Sequence, residues 1–164
     1  MNREAVGTFR RLLESLQPYP RMQFLLFAKN WGALEEELLR YCEAEDHSIL
    51  LYRLEGLPAE DLPESERIRR RPYPIDQPRY NLQGKLYNHA FVTALPPEAP
   101  VDFARKVYTG IVNAGGLYLL LERKDLEAWE AALTEANYVA TSTIDLSGDL
   151  LLLHGRKMHG WGGS

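Results

Sequence analysis

The chain has 164 residues, enough for one domain with a sizeable core, and its apolar and charged fractions, 45% and 26%, are ordinary for a soluble globular protein. A formal net charge of −4 argues against a general nucleic-acid binder, which needs a basic face to neutralise phosphates. The single cysteine, Cys42, excludes an intrachain disulfide and a cysteine-built metal site, and no run approaches the roughly 18 apolar residues of a membrane span.

Residues 4–16 place Val6, Phe9, Leu12, Leu13 and Leu16 on one helical face, opposite Arg10, Arg11 and Glu14. With Arg3 and Glu4 at its start this is an amphipathic pattern and not an uncharged signal core, so a cytoplasmic setting is expected. The run 22–28 (MQFLLFA) reads as a buried strand, Lys29, Asn30, Trp31 and Gly32 as a turn, and 34–41 as a helix. In that helix Leu34, Leu38, Leu39 and Cys42 point inward, while Glu35, Glu36 and Glu37 are expected on a solvated face. Cys42 on the apolar side reads as a small buried hydrophobe and not a nucleophile. Residues 48–54 (SILLYRL) form the next strand.

Between 55 and 83 the pattern breaks into a long, proline-punctuated loop, with acids first (Glu55, Glu60, Asp61, Glu64, Glu66) and then Arg67, Arg69, Arg70, Arg71 and Arg79. Loops of this length are uncommon in compact domains and tend to be functional or mobile. A short edge strand fits 79–82. The apolar run 90–95 (AFVTAL), stopped by Pro96 and Pro97, predicts a buried strand. Residues 101–112 predict a helix with Ala104, Val107, Tyr108, Ile111 and Val112 inward, ended by Asn113, Ala114, Gly115 and Gly116. The run 117–121 (LYLLL) predicts a strand covered on both faces. Asp125 suits an N-cap for a helix whose inward stripe is Leu126, Trp129, Leu133 and Ala136. Residues 138–146 and 149–157 predict an antiparallel hairpin around Ser147 and Gly148, followed by an irregular tail at 157–164.

This order of elements, with Gly115 and Gly116 ahead of LYLLL and a closing hairpin, resembles the C-terminal half of the class I S-adenosylmethionine-dependent methyltransferase fold. The resemblance implies a single α/β domain over 1–164: three layers, a mostly parallel sheet and a C-terminal antiparallel hairpin. It also implies a cofactor pocket at the carboxyl ends of the strands, near Lys29, Asn30, Trp31, Gly32, Glu55, Thr93, Leu95 and Pro96. Within that pocket the sequence departs from the family. The loop after the first strand has one glycine, a bulky Trp31 and no acidic residue before it. Trp31 either fills the cofactor space or stacks on an adenine. Glu55 stands where the family's ribose-binding acid follows the second strand, and Asn88 where the family often has aspartate. The stretch from Thr93 through Leu95 and Pro96 to Glu98 is similar to the Asn/Asp-Pro-Pro-aromatic loop of amino-group methyltransferases, but carries leucine first and glutamate last.

Three functional readings follow. The first is a methyltransferase-like domain that has lost ordinary catalysis and serves as a partner or scaffold. The second is an atypical S-adenosylmethionine-dependent methyltransferase using Asn30, Gly32 and Glu55, since transfer needs little beyond in-line positioning. The third is an RNA- or nucleotide-binding module using Arg67, Arg69, Arg70, Arg71 and Tyr73. The tail residues Met158, His159, Gly160 and Trp161 are either a protein-partner or homodimer contact or a cover for the sheet edge. No general base, metal-ligand spacing, nucleophile elbow or phosphate-binding glycine loop is present.

Overall fold

A computed structural model describes residues 2–16, 19–54, 62–74 and 86–158. Its elements are α1 (Arg3–Glu14), β1 (Gln23–Ala28), α2 (Ala33–Glu45), β2 (Ser48–Arg53), β3 (Ile68–Pro72), β4 (Tyr87–Val92), α3 (Pro100–Tyr108), β5 (Ile111–Glu122), α4 (Leu126–Glu135), β6 (Tyr138–Ser147) and β7 (Leu150–Lys157). The strands form one seven-stranded sheet in the order β3-β2-β1-β4-β5-β7-β6. Pairing is parallel from β3 through β5, whereas β7 runs antiparallel to both β5 and β6.

Strand residues alternate between two cores, which explains the near-continuous apolar runs. On one face Phe103, Ala104 and Val107 of α3 and Trp129 and Leu133 of α4 pack on Leu25, Phe27, Leu50, Tyr52, Leu117 and Leu119. On the other, Phe9 and Leu13 of α1 and Leu34, Leu38 and Cys42 of α2 pack on Phe24, Leu26, Ile49, Phe91 and Tyr118. The molecule is therefore three layers of helix, sheet and helix. Cys42 is fully buried, and that burial pushes its thiol up to about 12, so it stays protonated and inert as expected.

Several expectations are corrected by packing. The acidic run of α2 is not a solvated face. Glu35 and Glu37 are each 7% exposed. Glu37 receives Arg10 of α1 at 2.5 Å, and Glu35 accepts the Gly32 N–H at 2.9 Å in the reciprocal half of a capping box. The arginine run forms edge strand β3 and not an irregular loop, because the unpaired ladder of β2 is available to it. The edge strand expected at 79–82 and the tail at 159–164 lie outside the described residues. Strand β4 starts three residues before the expected 90–95, so Thr93 and Leu95 leave the sheet. Asp125 belongs to a 3-10 turn and makes no side-chain cap.

The largest correction concerns residues 111–116. They do not continue α3 or cap it; α3 stops at Tyr108, and Ile111 already pairs with Tyr87. The next pair is His89 with Gly116, so four residues of β5 bulge out against a single residue of β4, with Ala114 at φ 67°. Gly115 is glycine because of this approach: a Cβ there would lie 2.4 Å from the Asn88 carbonyl oxygen and 2.9 Å from that of Val112. Both neighbours are backbone and cannot step aside. A Gly115→Ala variant is expected to lose about 1–3 kcal/mol of stability by urea unfolding, the range for forced overpacking. A loss under about 0.5 kcal/mol would show that the bulge yields freely.

Candidate functional site

Four parallel strands end at the same edge of the sheet, and the chain opens a crevice there. It is a cavity of about 400 Å³ lined by Lys29, Arg53, Leu54, Pro72, Tyr73, Leu95 and Pro97. Lys29 follows β1, Arg53 closes β2, Tyr73 follows β3, and Leu95 and Pro97 follow β4. The ladder continues past the strand ends: Leu54 N–H donates to Ala28 C=O at 3.0 Å, Thr93 N–H to Phe27 C=O at 3.0 Å, and Tyr73 N–H to Arg53 C=O at 3.2 Å. These bonds hold the loops that form the crevice floor. Below them Phe27 stacks on Tyr52 at 5.3 Å and meets Tyr73 edge-on at 6.0 Å.

A buried polar network stands behind Tyr73. The Tyr73 hydroxyl donates to the Glu98 carboxylate, and Lys106 of α3 pairs with the same oxygen at 2.5 Å. Lys106 also donates to Pro74 C=O at 3.2 Å and lies 5.2 Å from the Tyr73 ring centroid. Lys106 is only 5% exposed. The other Glu98 oxygen and the Arg53 Nε are buried without hydrogen-bond partners among the described residues. Such orphaned polar atoms mark places where a native structure spends stability for a reason other than folding.

Of the sequence-derived candidates, Lys29 and Leu95 line the crevice. Thr93 sits at its floor, Pro96 is buried beside it, and Asn30 is exposed on the turn. Trp31 takes a different course. Its indole N–H donates to Glu36 at 2.8 Å and its ring packs on the α1–α2 core, away from the residues that line the crevice. Gly32 is the N-cap of α2. Glu55 lies outside the described residues. Sequence reasoning missed Arg53, Tyr73 in this role, and the Glu98–Lys106 pair. Arg53 was legible as the last polar residue of a buried strand; the pair was not, because its partners come from separate segments.

The arginine candidates are dispersed along β3. Arg67 pairs with Asp46 at 2.5 Å, Arg69 donates to the Tyr87 hydroxyl at 3.0 Å, and Arg70 donates to Pro63 C=O. Arg71 stands opposite Tyr52 in the β2–β3 register, and Tyr73 belongs to the crevice.

No protein-family model matches the chain, and no curated protein matches its sequence. Solved structures do share its fold. A candidate S-adenosylmethionine-dependent methyltransferase from Listeria monocytogenes superposes with a TM-score of 0.67 at 12% identity, over 93% of this chain and 99% of that one. Human N-acetylserotonin methyltransferase, solved in complex with S-adenosylmethionine, gives a TM-score of 0.65 at 11% identity, over 92% of this chain and 52% of its own. Atu636 from Agrobacterium tumefaciens, described as a predicted O-methyltransferase, gives 0.64 at 16% identity, over 90% and 80%. The chain spans about half the length of the human enzyme and of the CurJ carbon methyltransferase. The chain thus has the class I methyltransferase-like, Rossmann-type fold. Among the described residues no helix is long and apolar enough to cross a membrane.

Proposed function

We propose that this chain is a methyltransferase-like domain that has lost ordinary catalysis and acts as a partner or scaffold domain. The observation that carries this reading is the charge of the crevice. Its described lining holds two cations, Lys29 and Arg53, and no carboxylate. S-adenosylmethionine carries a sulfonium, an ammonium and a carboxylate and is net positive, so a partly desolvated lining whose described charges are both positive disfavours it, most of all at the sulfonium. The loop after β1 adds to the argument. Its tryptophan is tied to α2 through Glu36, and its glycine N–H is already taken by Glu35. That loop therefore offers fewer free backbone donors to a cofactor than an open glycine turn would.

A second reading, an atypical S-adenosylmethionine-dependent methyltransferase, is favoured by the fold itself. Relatives in shape were solved with S-adenosylmethionine or, for PigF, with S-adenosylhomocysteine. Thermal unfolding with and without millimolar amounts of each compound separates the readings. The expected result is no shift with either. A ligand at about 100 times its dissociation constant adds roughly 2.7 kcal/mol, or roughly 5–10 °C in midpoint for a domain of this size. A rise of that order with either compound overturns the loss of cofactor binding. A rise with S-adenosylhomocysteine alone would place the obstacle at the sulfonium.

A further inference from the structure

A second cavity lies at the opposite edge of the sheet from the crevice, where the parallel strands begin. It has a volume of about 590 Å³ and is lined by the end of α1, the starts of β4 and β5, and the end of β7. That volume falls within the range of small-molecule sites. We propose that this cavity is a second ligand site, for a small organic oxyanion: a carboxylate or phosphate carried on an apolar body. The juxtaposition that carries the proposal is Asn88, His89, His154 and Arg156 around the β5 bulge, with Leu12, Leu16 and Tyr118 supplying the apolar wall.

Two of the polar groups have their hydrogen-bonding sense set by a neighbour. Asn88 Oδ1 accepts the Gln23 N–H at 2.9 Å, which leaves the side-chain amide N–H groups to donate. His89 Nδ1 accepts the Gly116 N–H at 3.1 Å, so the proton of the neutral ring resides on Nε2. His154 stacks on Tyr118 at 4.3 Å with an angle of 5°, and its Nε2 is buried without a hydrogen-bond partner. Arg156 is exposed at the rim, and no carboxylate pairs with it among the described residues. Among the described residues no aspartate or glutamate lines the cavity. Asn88 and His89 therefore offer donors, and Arg156 adds a cation that no carboxylate pairs among the described residues, the arrangement that receives an oxyanion through charge-assisted hydrogen bonds.

The backbone is shaped around the same space. Gly116 leaves room for the His154 ring: a Cβ there would lie 2.8 Å from Nε2. The bulge adds four residues and one left-handed alanine to a strand that its partner matches with a single residue. Strained backbone together with an orphaned buried nitrogen is a combination seen at binding sites more than in plain cores. Burial above all, with Arg156 added at His154 and His154 added at His89, pushes both imidazoles down to about 4, so both rings are neutral at neutral pH and Arg156 supplies the positive charge at the rim. A metal site fits less well, since no third His, Cys, Asp or Glu joins the two imidazoles among the described residues.

The test is an NMR titration of the histidine ring resonances in the full chain at neutral pH. The probes are phenyl phosphate and benzoate, with benzylammonium as the cationic counterpart and sodium chloride at matched ionic strength. Saturable shifts at His89 and His154 with phenyl phosphate alone, or with benzoate alone, support the site and assign the anion. Substituting the exposed Arg156→Gln should weaken that binding about tenfold or more, as loss of one charged hydrogen bond does, while the unfolding midpoint stays in place. Three results overturn the proposal: no saturable shift with either anion at millimolar concentration, equal binding of benzylammonium, or an affinity unchanged by Arg156→Gln.

Discussion

Replacing Lys106 with methionine will cost this protein about 3–5 kcal/mol, the range for removing one member of a buried ion pair. The substitution keeps most of the apolar stem, so the loss is not one of packing volume. It comes from the Glu98 carboxylate, 12% exposed, which is left with the Tyr73 hydroxyl and no counter-charge among the described residues. Pro74 C=O loses its ammonium donor at the same time. The double variant Lys106→Met/Glu98→Gln removes both charges and is expected to recover a large part of the loss, because an amide is far cheaper to bury than a lone carboxylate. Urea unfolding of the two single variants and the double completes the cycle. A single-variant loss below about 1 kcal/mol would mean that the pair behaves as a surface salt bridge, and the crevice wall would then owe its position to the aromatic cluster alone.

Stability is also expected to fall with acidification from pH 6.5 towards 4, beginning above the range in which ordinary carboxylates titrate. His89 and His154 are held neutral in the fold, their protonation pushed down to about 4 from an ordinary 6.5 chiefly by burial. His47 is lowered in the same direction by burial, its Nδ1 accepting the Met22 N–H at 2.9 Å. Between those limits the unfolded chain binds more protons than the folded one, so stability rises with pH. The contribution is complete above about pH 6.5 and is lost as pH falls towards 4. For His89 and His154 it is on the order of 3 kcal/mol each. Asp46 is lowered by its bond to Arg67, so its contribution is lost only at the acid end, as pH falls through its depressed range. Chemical unfolding at constant ionic strength across this range, with His154→Gln beside the wild type, is the measurement. The variant should show a shallower fall. Equal stability at pH 6.5 and 4.5 in the wild type would mean that water reaches both rings and their burial is nominal.

The pH response and the second cavity share a cause. A sheet that carries two imidazoles on one face beside an arginine has no acid among the lining residues to neutralise them. The fold bears that cost with the rings uncharged. The crevice at the other edge holds Arg53, whose Nε finds no hydrogen-bond partner among the described residues.

Much of the fold was legible in the chain because its signals are local. Apolar runs of strand length, the stripe of Trp129, Leu133 and Ala136, and the tight turn at Ser147 and Gly148 each depend on a few neighbouring residues. All of these formed as their pattern implies, and their order was enough to indicate a three-layer α/β domain. Inward Cys42 was legible for the same reason.

What the chain could not show was decided by contacts between distant segments. Gly115 and Gly116 look like a helix stop, since glycine favours that role, yet they serve a close approach to Asn88 and to His154 that exists only once β4, β5 and β7 are aligned. Glu37 looks solvated until α1 brings Arg10 against it. The arginines of β3 look like a loop until β2 offers them an open ladder. Trp31 stands at the place of a cofactor in the sequence, but α2 supplies Glu36 as its acceptor and turns it away. Periodicity and turn chemistry act over a few residues, and so the sequence by itself determined the elements and their layering. Close backbone approach, charge pairing and cavity shape act across the sheet, and so only the tertiary structure decided where the polar groups converge.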